Sequence, residues 1–380
     1  MYAGRSGRST AIWHGAARVP PANPAKPSLR QVAERRADSA EIFRVALLDD
    51  YQGVALELAD WASLGATVDV QAFRDHIRDA APLLRRLAPF DAIVAMRERT
   101  PFPERVLAGL PRLRLLVTTG MSNASVDIDA AARLGIVVAG TDGLAPPTVE
   151  LTWALILAAV RRVPQEDRFT RAGRWQTSLG TGLHGKTLGV IGLGRLGSQV
   201  AAIGRAFGMR LVAWSQNLTA ERAAACGAEL VPKDAVLARS DVVTIHLKLS
   251  PRTTGLIGAS ELRHMKRSAY LVNTSRGPIV DERALIDALR SGVIAGAALD
   301  VYDEEPLPRG HPLLSLDNVV LTPHLGYVTR DNYEVFYRGA AEDVAAFLCG
   351  TPVRVLNQQV LSSPALRAAP YPPADRAHGS

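Results

Sequence analysis

The chain has 380 residues, 47% hydrophobic and 21% charged, which is the balance of a folded globular protein and more than one ordinary core can hold. Its longest apolar run, 151–160, stops at Arg161 and Arg162, well short of the roughly 20 residues that span a bilayer, so no membrane partner is expected. The formal charge of +7 sits at the ends: residues 1–36 hold seven bases against one acid, the stretch from Ser362 adds one net positive charge, and the neutral body between them argues against a nucleic-acid surface.

Residues 1–41 are rich in Arg, Ala, Pro and Ser and read as a disordered extension, with an organelle-targeting leader as the other reading. Order begins near Ile42. Residues 43–49, 67–73, 92–95, 113–119 and 136–139 read as short strands, with helical stretches such as 129–134 between them. Such alternation predicts a parallel α/β sheet. Ala145-Pro146-Pro147 closes this lobe, and Thr148 reads as the N-cap of a long helix to about Val163. Six more β-rich runs follow, at 187–191, 211–214, 241–246, 269–273, 294–299 and 318–321, the pattern of a doubly wound sheet. A last helix is expected over 331–348, and the Pro/Ala-rich stretch 362–380 reads as a loose tail. Cys226 and Cys349 lie far apart in no metal-ligand spacing. They read as free, buried thiols, and with no disulfide framework a cytoplasmic setting is expected.

Gly192-Leu193-Gly194-Arg195-Leu196-Gly197 fits G-x-G-x-x-G between an expected strand and an expected helix, 196–207. In that context the three glycines serve a tight turn, a close approach to a pyrophosphate, and close helix–strand packing. The helix start offers free N–H groups to the phosphates. An acid about 20 residues on, which would grip the ribose of NAD, is missing. Ser215 stands there, followed by Gln216 and Asn217, and no acid appears before Glu221. Nor does either residue after Ser215 offer a positive charge to a 2′-phosphate; Arg222 could reach in, though a solvated helix position is its simpler reading. The sequence therefore leaves NAD and NADP both open.

Three later segments end apolar runs in polar residues: Asn273-Thr274-Ser275-Arg276-Gly277, Asp300 to Pro306, and Thr322-Pro323-His324-Leu325-Gly326. Together with the glycine loop, in this order, they resemble the D-isomer-specific 2-hydroxyacid dehydrogenases over about residues 43–361. The resemblance implies two Rossmann-like doubly wound domains, the cofactor domain (147–324) inserted into a discontinuous flavodoxin-like substrate domain (42–146 and 325–361). It implies a homodimer, a small 2-hydroxy or 2-oxo acid as substrate, and NAD or NADP as cofactor, with NAD the one the family favours. Its active-site trio falls on Arg276, Glu305 and His324, with Pro306 selecting Glu305 over Glu304. The chemistry suits these types. An imidazole moves the hydroxyl proton, a carboxylate orients it, and a planar cation grips the substrate carboxylate. Asp300 resembles the residue that contacts the nicotinamide carboxamide, and Thr148 and Thr274 are further cofactor candidates.

Other positions carry less signal. The loop Gly120-Met121-Ser122-Asn123 could present N–H groups to the substrate carboxylate, and Arg97 and Arg99 could bind an anionic tail. Lys248 stands where the family usually has Pro. His184 and His264 read as surface or loop residues. A formate dehydrogenase is disfavoured by the carboxylate at Glu305, while phosphoglycerate dehydrogenase and glyoxylate or hydroxypyruvate reductase remain open. From another class, a dinucleotide-sensing corepressor on the same fold would keep similar residues.

Overall fold

The computed structural model describes residues 42–370; the expected extension, 1–41, and the end of the tail, 371–380, lie outside the described residues. The first lobe holds β1 (Phe43–Leu47), β2 (Val68–Ala72), β3 (Ala92–Ala95), β4 (Leu115–Thr118) and β5 (Val137–Gly140), joined in part by α1 (Ala80–Leu87), α2 (Glu104–Ala108) and α3 (Ile128–Arg133). All pairings are parallel in the order β2-β1-β3-β4-β5, the flavodoxin-like order. Strands β3, β4 and β5 are buried throughout, which is why they read as unbroken apolar runs instead of alternating ones. Edge strand β2 alternates, with Asp69 and Gln71 turned outward.

The second lobe runs through α4 (Pro146–Arg161), α5 (Val163–Arg171), β6 (Thr187–Ile191), α6 (Arg195–Ala206), β7 (Arg210–Trp214), α7 (Ala220–Ala225), β8 (Glu229–Leu230), α8 (Lys233–Arg239), β9 (Val242–Ile245), α9 (Ala259–His264), β10 (Tyr270–Asn273), α10 (Glu282–Arg290), β11 (Gly296–Leu299) and β12 (Val319–Leu321). Its seven parallel strands lie in the order β12-β11-β10-β9-β6-β7-β8, the Rossmann order extended by one strand. Helix α11 (Arg330–Leu348) then returns to the first lobe, where Phe336, Tyr337, Val344 and Phe347 join Phe43, Val45 and Leu115 in one core.

Several local expectations are corrected. Helix α4 starts two residues before Thr148, with Ala145 as N-cap and prolines in its first turn, where a missing N–H costs no helical bond. It ends at Arg162, whose backbone is left-handed (φ 54°), and α5 follows, an exposed helix with too few apolar residues to be seen in the sequence. Strand β8 has only two residues and was missed for that reason. The start of the expected loose tail is held to the first lobe: the Arg367 N–H donates to Gly135 O at 2.8 Å, and its guanidinium to Leu110 O and Leu113 O. Both cysteines, expected to be buried, are only partly so. Among the described residues no helix is long and apolar enough to cross a membrane.

Candidate active site

In each sheet the strand order reverses once, between β1 and β3 and between β6 and β9. Loops beyond the carboxyl ends of the strands diverge there and leave a crevice. The glycine loop occupies the second of these points. Gly192 has φ 102°, and a Cβ on it would lie 2.5 Å from His246 O; its N–H donates to Trp214 O at 2.8 Å. A Cβ on Gly197 would collide with Gly192 O, so the first turn of α6 rests directly on the loop. A Cβ on Gly194 would meet nothing within 4 Å. That open side faces the start of α6, where Arg195 and Leu196 carry N–H groups without helical partners. The loop thus fits a dinucleotide pyrophosphate: two glycines are demanded by the protein itself, and the third leaves space for a ligand.

Beside the loop, past the ends of β7 and β9, lies a cavity of about 470 Å³. Ser215 lines it, together with Trp214, Arg222, Lys248 and Arg252; no carboxylate does. The three cations form no ion pair among the described residues. Arg252 lies more than thirty residues beyond the motif, and nothing local marked it. His246, just after β9, is held neutral by desolvation, its imidazole pushed down to about 4.

The trio gathers where the second lobe faces the first. His324 Nδ1 lies 2.6 Å from Glu305 Oε2, and Glu305 Oε1 accepts the Tyr302 N–H at 3.0 Å. This leaves His324 Nε2 without a partner among the described residues. His324 sits at φ 55°, a conformation costly for a non-glycine residue. Asp300 holds it there by accepting the N–H groups of Leu325 (2.6 Å) and Gly326 (2.8 Å) and the Thr322 hydroxyl (2.6 Å). Burial pushes the Asp300 carboxyl up, against those hydrogen bonds. The residue that resemblance assigns to the carboxamide is thus fully buried and engaged in fixing the histidine turn. Thr148 is likewise engaged, donating to Gly326 O at 2.7 Å, and the Thr274 hydroxyl lies 2.8 Å from that of Thr152.

Arg276 follows β10. Its Nη1 donates to Ser275 O at 2.7 Å, and its Nη2 to Oε1 of Glu98, on the other lobe, at 2.6 Å. Sequence reasoning passed over Glu98. It stands between two arginines in Arg97-Glu98-Arg99, and a charge run usually means a solvated face. Burial disfavours its ionised form, but Arg97 and Arg276 outweigh that and hold the carboxyl below the usual range. Arg97 also has a left-handed backbone (φ 51°) and donates from Nη1 to Thr119 O at 2.9 Å. Gly120 has φ 97°, a left-handed backbone that favours glycine, and a Cβ there would press on that guanidinium. Asn123 is buried and donates to Arg97 O at 2.6 Å, supporting the loop from behind, whereas Met121 and Ser122 are exposed, their N–H groups unpartnered among the described residues. Arg99 lies over the Tyr51 ring, and the Tyr327 ring packs 5.2 Å from that of His324. The arrangement can bind a small carboxylate between Arg276 and the free amides and move one proton at His324 Nε2.

Comparison with known proteins agrees. Residues 153–326 match the family described as D-isomer specific 2-hydroxyacid dehydrogenase, NAD binding domain. A glyoxylate reductase of Aeropyrum pernix is 46% identical over 267 residues, covering 67% of this chain and 80% of that protein. A D-3-phosphoglycerate dehydrogenase of Archaeoglobus fulgidus is 41% identical over 275 residues, 72% of this chain and 52% of that one. Among solved structures, a phosphoglycerate oxidoreductase from Vibrio cholerae superposes with a TM-score of 0.77 at 38% identity, covering 80% of this chain and 99% of that chain.

Proposed function

Because the chain belongs to the D-isomer specific 2-hydroxyacid dehydrogenase family, we propose that it reduces a small 2-oxo acid of the glyoxylate type to the 2-hydroxy acid, with NADPH preferred as cofactor. It is a nicotinamide-dependent oxidoreductase acting on the CH–OH group. The carrying observation is the His324–Glu305 pair at 2.6 Å beside Arg276, a cation on the adjacent strand end.

In this reading Arg276 and the amides of Met121 and Ser122 hold the substrate carboxylate, and Arg276 also polarises the C2 oxygen. His324, oriented through Nδ1 by Glu305, delivers the proton to that oxygen from Nε2. Tyr302 keeps Glu305 in place through its backbone N–H. The nicotinamide, when bound, supplies the hydride. Gly192, Gly194, Arg195, Leu196 and Gly197 hold its pyrophosphate. Exposed Val163, Trp175 and Leu179, on and after α5, favour a homodimer that covers them.

Preference for NADPH rests on the cavity beside the loop. A ribose 2′-hydroxyl asks for an acceptor, and Ser215 offers no charge there. A 2′-phosphate asks for cations, and Arg222, Lys248 and Arg252 supply three without a competing acid. Trp214 lines the same cavity and provides the signal. Titration of its fluorescence should give a Kd for NADP⁺ about 10- to 100-fold below that for NAD⁺, and the same ordering for 2′,5′-ADP against AMP. Equal affinities would overturn the NADPH preference and leave the reaction class standing.

A further inference from the structure

Arg97, Arg99 and Arg276 converge on the cleft, yet none is a free anion receptor. Arg99 donates to Asp49 O at 2.8 Å and lies over the Tyr51 ring. Arg276 and Arg97 share one counter-charge: Glu98 Oε1 accepts from Arg276 at 2.6 Å, and Glu98 Oε2 lies 3.7 Å from Arg97 Nε. Oε2 is buried and has no hydrogen-bond partner. The carboxylate is therefore an ionised counter-charge in a desolvated place, shared between Arg97 and the cation that must receive the substrate's carboxylate.

We infer that Glu98 is a specificity-determining residue that restricts this enzyme to 2-oxo acids with a single negative charge and excludes those with a second anionic group on the tail. This rests on the reductase reading above. A monoanion engages Arg276 through donors that Glu98 and Ser275 leave free, since a guanidinium has five and two are used. A tail phosphate or carboxylate that drew on Arg97 would come into the field of Oε2, which lies 3.7 Å from Arg97 Nε and already takes up part of its charge. Two like charges in a desolvated site repel strongly, and such repulsion is an efficient means of discrimination. The depressed proton affinity of Glu98, caused by the same arginines, keeps that repulsion in force at neutral pH. Removing the charge should do more than relieve repulsion, because it also unmasks Arg97 as a partner for the tail.

The test compares hydroxypyruvate with its 3-phosphate ester, the same skeleton with and without the second anion, at saturating NADPH. Wild type should favour hydroxypyruvate in kcat/KM by about 100-fold or more. Glu98→Gln, which keeps the shape and loses the charge, should raise kcat/KM for the phosphate ester by about 10-fold or more, mainly through KM. A gain of this kind cannot come from a damaged fold. Equal turnover of both compounds by wild type would overturn the inference without any variant. So would a Glu98→Gln enzyme in which both activities fall alike. Reduction of neither compound, nor of glyoxylate, by wild type that binds dinucleotide would overturn the reductase reading itself, a result distinct from these.

Discussion

The crevices at the two switch points both offer groups that suit an anion, and they do so by opposite means. The glycine loop after β6 uses backbone amides and open space, with no charged group opposing another. The rim after β1 and β3 uses Arg97 and Arg99, a buried counter-charge shared with Arg276 of the other lobe, and left-handed backbone at Asp49 and Arg97. Amide dipoles have no counter-ion to displace and no side chain to reorient, so the first site suits the invariant pyrophosphate of a cofactor. Charged side chains can be masked or unmasked by one substitution, so the second suits a choice among substrates.

The largest effect should come from the residue both crevices serve. His324→Ala is expected to lower kcat by about 10²- to 10⁴-fold while leaving the Kd for dinucleotide unchanged in the fluorescence titration. Near-normal turnover would remove His324 as the proton carrier. If dinucleotide affinity fell as well, the two crevices would not be separable as described.

Within the glycine loop the comparison can be sharpened by two substitutions that look alike in sequence. Gly194→Val projects into open space, so it should leave the melting temperature within a degree or two and weaken dinucleotide binding by about 10-fold or more. Gly197→Ala drives a methyl into Gly192 O and should instead destabilise the fold, by about 1–3 kcal/mol in chemical denaturation. The reverse pattern would mean that the space at Gly194 is not the phosphate cradle.

The smallest effect concerns the rim. Glu98 has a folded-state pKa below the usual glutamate range, so its pairing with Arg276 stabilises the protein above that range and the contribution is lost as pH falls through the depressed pKa. Wild type should therefore lose stability more steeply than Glu98→Gln between about pH 5 and pH 3. Parallel curves would show that the pair contributes nothing to holding the lobes together. The expected difference is modest because Arg276 is about one-third exposed and screened by water (side-chain exposure 30%).

Much of this protein is readable residue by residue. The strands were visible because burial on both faces demands apolar runs, and the glycine loop because each glycine answers a local steric need. The candidate trio came from a family resemblance carried by three contiguous segments, each of which ends an apolar run. Elements without a local signal were missed: two-residue β8, exposed α5, and the true start of α4, where proline chemistry outweighed the Thr148 hydroxyl. Asp300 and Asn123 also hold loops distant in sequence, through Leu325 and Gly326 and through Arg97 O, contacts that no local signal marks.

Sequence alone therefore determined the two-lobed α/β fold and pointed to the glycine loop, because periodicity and turn chemistry are properties of neighbouring residues, while the family resemblance pointed to the candidate trio. Only the tertiary structure decided that Glu98 neutralises Arg276, 178 positions away. The same holds for Arg222, Lys248 and Arg252, which meet around one cavity. Electrostatic partners act through space, and the distance between them is set by how the strands are ordered and the lobes are packed.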